Sequence, residues 1–152
     1  MGSDPIVSNS SCLIGLEAIG HIFLLESLYG TVLIPDAVAR EWGQALPSWI
    51  TVQSAQNVPL VKSLLVDLGA GEAEAIALAL DVGAARLILD DKKARRFANS
   101  LGVPVIGTVG ITLVAKQRGF ISQVRPLLEN LQAAGFHISD SLYLQALQLA
   151  SE

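Results

Sequence analysis

The chain has 152 residues, 51% of them hydrophobic and 16% charged. That is one domain's length with enough apolar material for a core, and it excludes disorder. A formal net charge of −4 argues against broad, charge-driven affinity for nucleic acid. The mean hydropathy of +0.51 raises the question of membrane insertion. The longest plausible span, residues 97–115, carries no charge but is broken by Gly102, Pro104, Gly107 and Gly110. A spanning helix needs about 20 consecutive, mainly apolar residues, so this stretch reads as strand, turn and helix, and no membrane association is expected. The hydrophobicity instead implies a sheet covered on both faces.

No basic region followed by an apolar run marks a secretory leader. Residues 1–4 have the character of an expression scar, which leaves 5–152 as a single cytoplasmic domain. The lone Cys12 permits neither an internal disulfide nor a cysteine zinc cage, and reads as a small apolar core residue.

Short apolar runs alternate with helical patterns, the signature of βαβ units and a parallel sheet. Residues 5–8 read as the first strand. Asn9, Ser10 and Ser11 are N-cap types that open a helix over 11–19, ended by Gly20. A helix over 21–28 stops at Gly30. Residues 31–34 form a strand, and Pro35 starts a helix running through Glu41 and Trp42 to Gly43. Residues 49–52 are a short strand or an extended loop. Residues 58–67 are helical, and Gly69-Ala70-Gly71 break the chain before a helix over 72–82. A strand at 86–89 leads into a helix over 91–101, and a strand at 103–106 into a helix over 108–118. Two helices, 122–134 and 139–150, close the domain. The expected class is α/β: a three-layer domain with a central parallel sheet of four to five strands.

In open parallel sheets, ligands bind beyond the carboxyl ends of the strands. Four of the expected strand ends run into polar residues: Asn9-Ser10-Ser11, Asp36, Asp90-Asp91 and Gly107-Thr108. Asp90-Asp91 is the most informative. Adjacent carboxylates repel unless a cation or the next helix's dipole compensates, and Mg²⁺ prefers oxygen donors. Asp91 serves equally well as an N-cap. Glu72 opens a helix that is apolar nearly all round, and would point inward at the sheet end; the plainer reading is first-turn compensation of the helix dipole. Glu74 lies on another face, toward solvent. Glu41 borders an apolar stripe, where simple exposure is the plainer reading. Four of the ten basic residues, Lys92, Lys93, Arg95 and Arg96, directly follow the acidic pair. They could meet phosphates or form a solvated helix face. His21 and His137 share no ligand spacing. No phosphate-cradling glycine motif occurs, and no Ser-His-Asp set can be assembled.

Taken in order, several segments resemble the PIN-domain family, and within it a short, toxin-like prokaryotic branch. They are Ile6-Val7-Ser8-Asn9-Ser10-Ser11, Val32-Leu33-Ile34-Pro35 running to Glu41, Gly71-Glu72-Ala73-Glu74-Ala75-Ile76, Leu87-Ile88-Leu89-Asp90-Asp91-Lys92-Lys93-Ala94-Arg95, Val103-Pro104-Val105-Ile106-Gly107-Thr108 and Gly135-Phe136-His137-Ile138-Ser139-Asp140. The resemblance spans nearly the whole chain. It implies a parallel sheet whose strand-end acids bind Mg²⁺ or Mn²⁺ and hydrolyse RNA phosphodiesters. By position, the site falls on Asn9, Glu41, Glu72 and Asp90 or Asp91, with Asn9, Glu72, Asp90 and Asp91 as metal ligands. Ser10, Thr108, Lys92, Lys93, Arg95 and Arg96 are the expected substrate contacts. A small antitoxin partner and a homodimer are further implications. Asn9 departs from the family's usual aspartate, an exchange that removes a charge and a potential base. The alternatives are a PIN fold that has lost cleavage and serves as a binding module, and a receiver-like phosphorylation domain. The latter fails because the acid pair comes late and no subsequent strand end offers a phosphoacceptor aspartate.

Overall fold

The computed structural model describes residues 4–152; residues 1–3, most of the expected expression scar, lie outside the described residues. The elements are β1 (Ile6–Ser8), α1 (Ser10–Ala18), α2 (Phe23–Tyr29), β2 (Val32–Ile34), α3 (Asp36–Trp42), β3 (Ile50–Val52) and α4 (Val58–Leu64). They continue with α5 (Ala70–Val82), β4 (Arg86–Ile88), α6 (Lys92–Ser100), β5 (Val105–Ile106), α7 (Thr108–Gln117), α8 (Arg125–Ala133) and α9 (Asp140–Leu149). The five strands form one all-parallel sheet in the order β3-β2-β1-β4-β5. Residues 50–52, left open as strand or loop, are its edge strand.

Alternation along the strands sorts side chains to two faces. Ile6, Val32, Ile34 and Ile88 face a core completed by Cys12, Leu13, Leu16, Leu24, Leu25 and Ile111. Val7, Leu87 and Leu89 face the other way, against Leu64, Ile76, Leu78, Ala94 and Ala98. The sheet is therefore the middle of three layers, and its strands are apolar on both faces, as buried parallel strands are. Burying each of the large side chains contributes roughly 1.5–3 kcal/mol. A third apolar cluster, with Val109, Leu128, Leu131, Ile138 and Leu147, ties α8 and α9 to the outside of α7.

Helix α5 has almost no polar face, since Gly71, Ala73 and residues 75–79 are all buried. Its small residues let it lie close to the sheet. It stops at Gly83, whose φ of +61 is a left-handed conformation that glycine adopts without cost.

Glu74 does not face solvent as expected. The N-cap of α3 is Pro35, which has no side-chain acceptor for the first-turn N–H groups. Glu74 supplies it from α5, accepting from the Ala37 N–H at 3.0 Å. Arg40 stands 3.8 Å from its other oxygen. No helix among the described residues is long and apolar enough to cross a membrane.

Candidate functional site

Sheet register brings the polar strand ends to one level. Ser8 pairs with Ile88 and Ile88 with Ile106, so β1, β4 and β5 end together. Two residues further on come Ser10, Asp90 and Thr108. The central strand ends at Asn9, held in the sheet by its N–H on the Ile88 carbonyl at 3.0 Å.

Asp90 is fixed from two sides. Thr108 donates its backbone N–H to Oδ1 and its hydroxyl to Oδ2, both at 2.7 Å, and Ser11 donates to Oδ2 at 2.9 Å. Asp91 caps α6 by accepting from the Ala94 N–H on Oδ2 at 2.9 Å. The doublet thus divides: Asp90 is bound toward α1 and α7, and Asp91 sits at the start of α6 beside Glu72.

Glu72 accepts from the Gly69 N–H at 3.2 Å, the local first-turn role, yet it belongs to a larger acidic group. Burial pushes its carboxyl above the ordinary value; the Gly69 hydrogen bond opposes this, and the nearby charges of Asp91 and Glu41 add to it. Glu41 accepts from the Ser10 hydroxyl at 2.8 Å. Its carboxylate lies directly over Gly71, where a Cβ would overlap it. The missing side chain at Gly71 is what lets α3 bring Glu41 against the start of α5.

Asn9 is the exception to the satisfied polar groups. It is 6% exposed, makes no side-chain cap to α1, and its Oδ1 is buried without a hydrogen-bond partner. A buried acceptor left unpaired costs about 1–3 kcal/mol. Among the described residues, no three histidine, cysteine or acidic side chains stand together closely enough to hold an ion. In donor chemistry the lip nevertheless suits a hard divalent cation, since it offers only oxygens. Those oxygens include the orphaned amide of Asn9 and a glutamate whose neighbours' charges disfavour its ionised form. Cys12 contributes nothing. It is fully buried, and burial, then the charge of Asp90, push its thiol far up.

The four cations separate on α6. Lys92 and Arg95 line a groove of about 880 Å³ that begins at Ser11, Asp90 and Asp91 and runs between α7 and α9. Lys93 leaves it for a mostly solvated pair with Asp67 at 3.8 Å, and Arg96 is exposed. Ser10 and Thr108, expected as substrate contacts, spend their hydroxyls on Glu41 and Asp90. Sequence reasoning placed Ser11 and Gly107 at the strand ends and Gly71 at a chain break, but gave none of them a role in the site. Ser11 could be found only as one of three adjacent polar residues. The glycines carry no signal until their neighbours are known.

Residues 5–152 match a family model described as a PIN domain, DUF3368. The chain belongs to the PIN-domain family. PIN domains are generally nucleases and typically use divalent metals. No curated protein and no solved structure matches the chain significantly.

Proposed function

We propose that this PIN domain is a metal-dependent endoribonuclease, the toxin half of a toxin–antitoxin pair, working in the cytoplasm as a homodimer. The carrying observation is the buried, unpartnered Oδ1 of Asn9 at the centre of a sheet edge rimmed by Glu41, Glu72, Asp90 and Asp91. An oxygen kept dry and unpaired in the middle of acidic residues is poorly placed for stability alone, and well placed for an electrophile.

Asn9, Glu41, Glu72 and Asp91 would hold Mg²⁺ or Mn²⁺, with Asp90 beside them. When bound, such an ion supplies positive charge against a scissile phosphate and a lowered pKa for water. The chain's own residues do the rest. Thr108 and Ser11 fix Asp90, and Ser10 holds Glu41, so each carboxylate is oriented before substrate arrives. Lys92 and Arg95 are the cations set to take the RNA backbone at the groove mouth, where phosphate contacts position without reading sequence.

Two observations favour the second reading, a PIN fold that binds partners but has lost cleavage. Asn9 replaces the usual acid, and no three acids stand close enough together to share an ion among the described residues.

Manganese titration by calorimetry, paired with RNA cleavage in Mn²⁺ or Mg²⁺, separates the readings. Wild type is expected to bind Mn²⁺ and cut RNA. Glu72→Gln and Asp91→Asn variants should lose both, while Ser10→Ala loses about 10–100-fold in metal affinity or rate. Cleavage that survives in both acid variants would sink the nuclease reading. Absent Mn²⁺ binding together with absent cleavage in the wild type would support the binding module.

A further inference from the structure

The groove that starts at the acids continues well past anything a phosphate and an ion would need. Its near end is polar, with Ser11, Asp90, Asp91, Lys92 and Arg95, and its far end is walled by Leu113 of α7 and by Leu142 and Leu149 of α9. Leu142 is 40% exposed and Leu149 67% exposed, so α9 presents apolar side chains to an open channel. Three glycines, Gly107, Gly110 and Gly135, are among the residues that line it.

Gly107 matters for the space that it leaves. A Cβ at Gly107 would come 3.0 Å from Arg95 Nη1 and 3.1 Å from Asp90 Oδ1. The absent side chain is therefore what lets the guanidinium lean over the strand end beside the carboxylate. Arg95 is half-buried there and makes no ion pair among the described residues. Its fork of donors remains free for the oxygens of a phosphate. Further along, His137 and Gln145 line the groove and make no side-chain hydrogen bond to other described residues.

Resting on the nuclease reading, we infer that this groove between α7 and α9 is a base-binding subsite. It holds the unpaired nucleotide or two next to the scissile phosphate on one side only. Arg95 takes the adjoining phosphate, the flat bases lie against Leu113 and Leu142, and His137 and Gln145 meet the base edges. The case for RNA over a protein segment is continuity and charge. The apolar channel opens directly onto two cations and the acid lip, the order in which a nucleotide presents base, then phosphate, then cleavage point. A base-paired strand would keep its bases stacked against a partner and could not enter.

The test is an abasic scan. Short RNA oligomers carry one abasic nucleotide at successive positions around the cleavage point. Cleavage kinetics are measured with Mn²⁺, and binding is followed by fluorescence anisotropy without metal. The subsite requires KM and the binding constant to rise about tenfold at one or two adjacent positions on one side, with kcat little changed. In Leu142→Asp and His137→Ala, both at exposed positions, that positional effect should shrink or vanish. A flat scan in an enzyme that still cuts overturns the subsite and leaves the nuclease reading standing. A positional effect that persists unchanged in both variants also overturns it, because the base is then held outside this groove. Failure to bind any RNA overturns both.

Discussion

Thr108 reaches Asp90 twice, through its backbone N–H and its hydroxyl, each at 2.7 Å. One residue opening α7 thereby fixes both oxygens of the carboxylate that ends β4. Because Thr108 is fully buried, the hydroxyl is shielded from water and cannot be replaced by it. Thr108→Val keeps the shape and the N–H but removes the second bond. It should destabilise the fold by about 1–3 kcal/mol, leaving one Asp90 lone pair poorly served. A urea midpoint that falls with an unchanged slope would verify this; an unmoved midpoint would show that the Thr108 N–H and Ser11 hold the carboxylate without the hydroxyl.

Gly71 offers a way to separate stability from chemistry. Alanine is the better helix former by about 1 kcal/mol, and the conformation at this position is ordinary helix. The new methyl, however, would collide with the Glu41 carboxylate, the end of a flexible and exposed side chain that can move aside. Gly71→Ala should therefore leave the melting temperature equal or slightly higher, while Mn²⁺ affinity and RNA cleavage drop about tenfold or more. Equal loss of stability and activity would mean that α3 itself is displaced.

Asn9→Asp restores a charge at the sheet centre. Without metal, a buried carboxylate among Glu41, Glu72 and the aspartate pair should cost at least about 1–3 kcal/mol. With Mn²⁺ added, the variant should gain more in melting temperature than wild type does, since binding to the folded state stabilises it by mass action. Differential scanning fluorimetry with and without Mn²⁺ reads both effects. An identical metal-induced shift in the two proteins would remove Asn9 from the ligand set.

The far end of the chain carries the clearest acid dependence. The Glu152 side chain is 7% exposed. Burial works against its charge, but the Val124 N–H at 2.7 Å, Lys116 at 3.0 Å and the Arg125 N–H at 3.1 Å outweigh that and hold the carboxyl below its usual value. An unfolded glutamate titrates near about 4.3. The folded value is lower, so this contribution is complete above the unfolded value and disappears as pH falls through the folded one. Glu152→Gln should be less stable than wild type by about 1–2 kcal/mol at pH 7, and the gap should close toward pH 3. Urea midpoints at pH 7, 5 and 3 provide the comparison; a gap that stays constant with pH would place the effect in packing instead.

Most of the architecture was legible before any coordinates. Apolar runs of three or four residues, each followed by a cap-forming residue and a helical pattern, predict parallel βαβ units. The strands follow, apart from the hesitation over residues 50–52. That strand has only Ile50 buried, with Thr51 and Val52 exposed at the sheet edge, so its local signal is weak. Glu74 misled because helical periodicity reports a face, not the neighbour that needs an acceptor; the unmet N–H of Ala37 belongs to α3, 37 residues earlier.

The sequence by itself determined which side chains terminate the strands, because a run of apolar residues must end somewhere and polar residues mark the place. It also determined the helix starts to within three residues, since they depend on neighbours within one turn; α8 begins at Arg125 where 122 is expected, and α5 at Ala70 where 72 is expected. Only the tertiary structure decided how those ends relate: that Asp90 binds Thr108 and Ser11 while Asp91 turns to α6 and Glu72, that Glu41 rests on Gly71, and that Asn9 is buried without a partner. Each of these depends on sheet register and helix approach, which are set by packing between residues far apart in the chain. No local pattern carries that information.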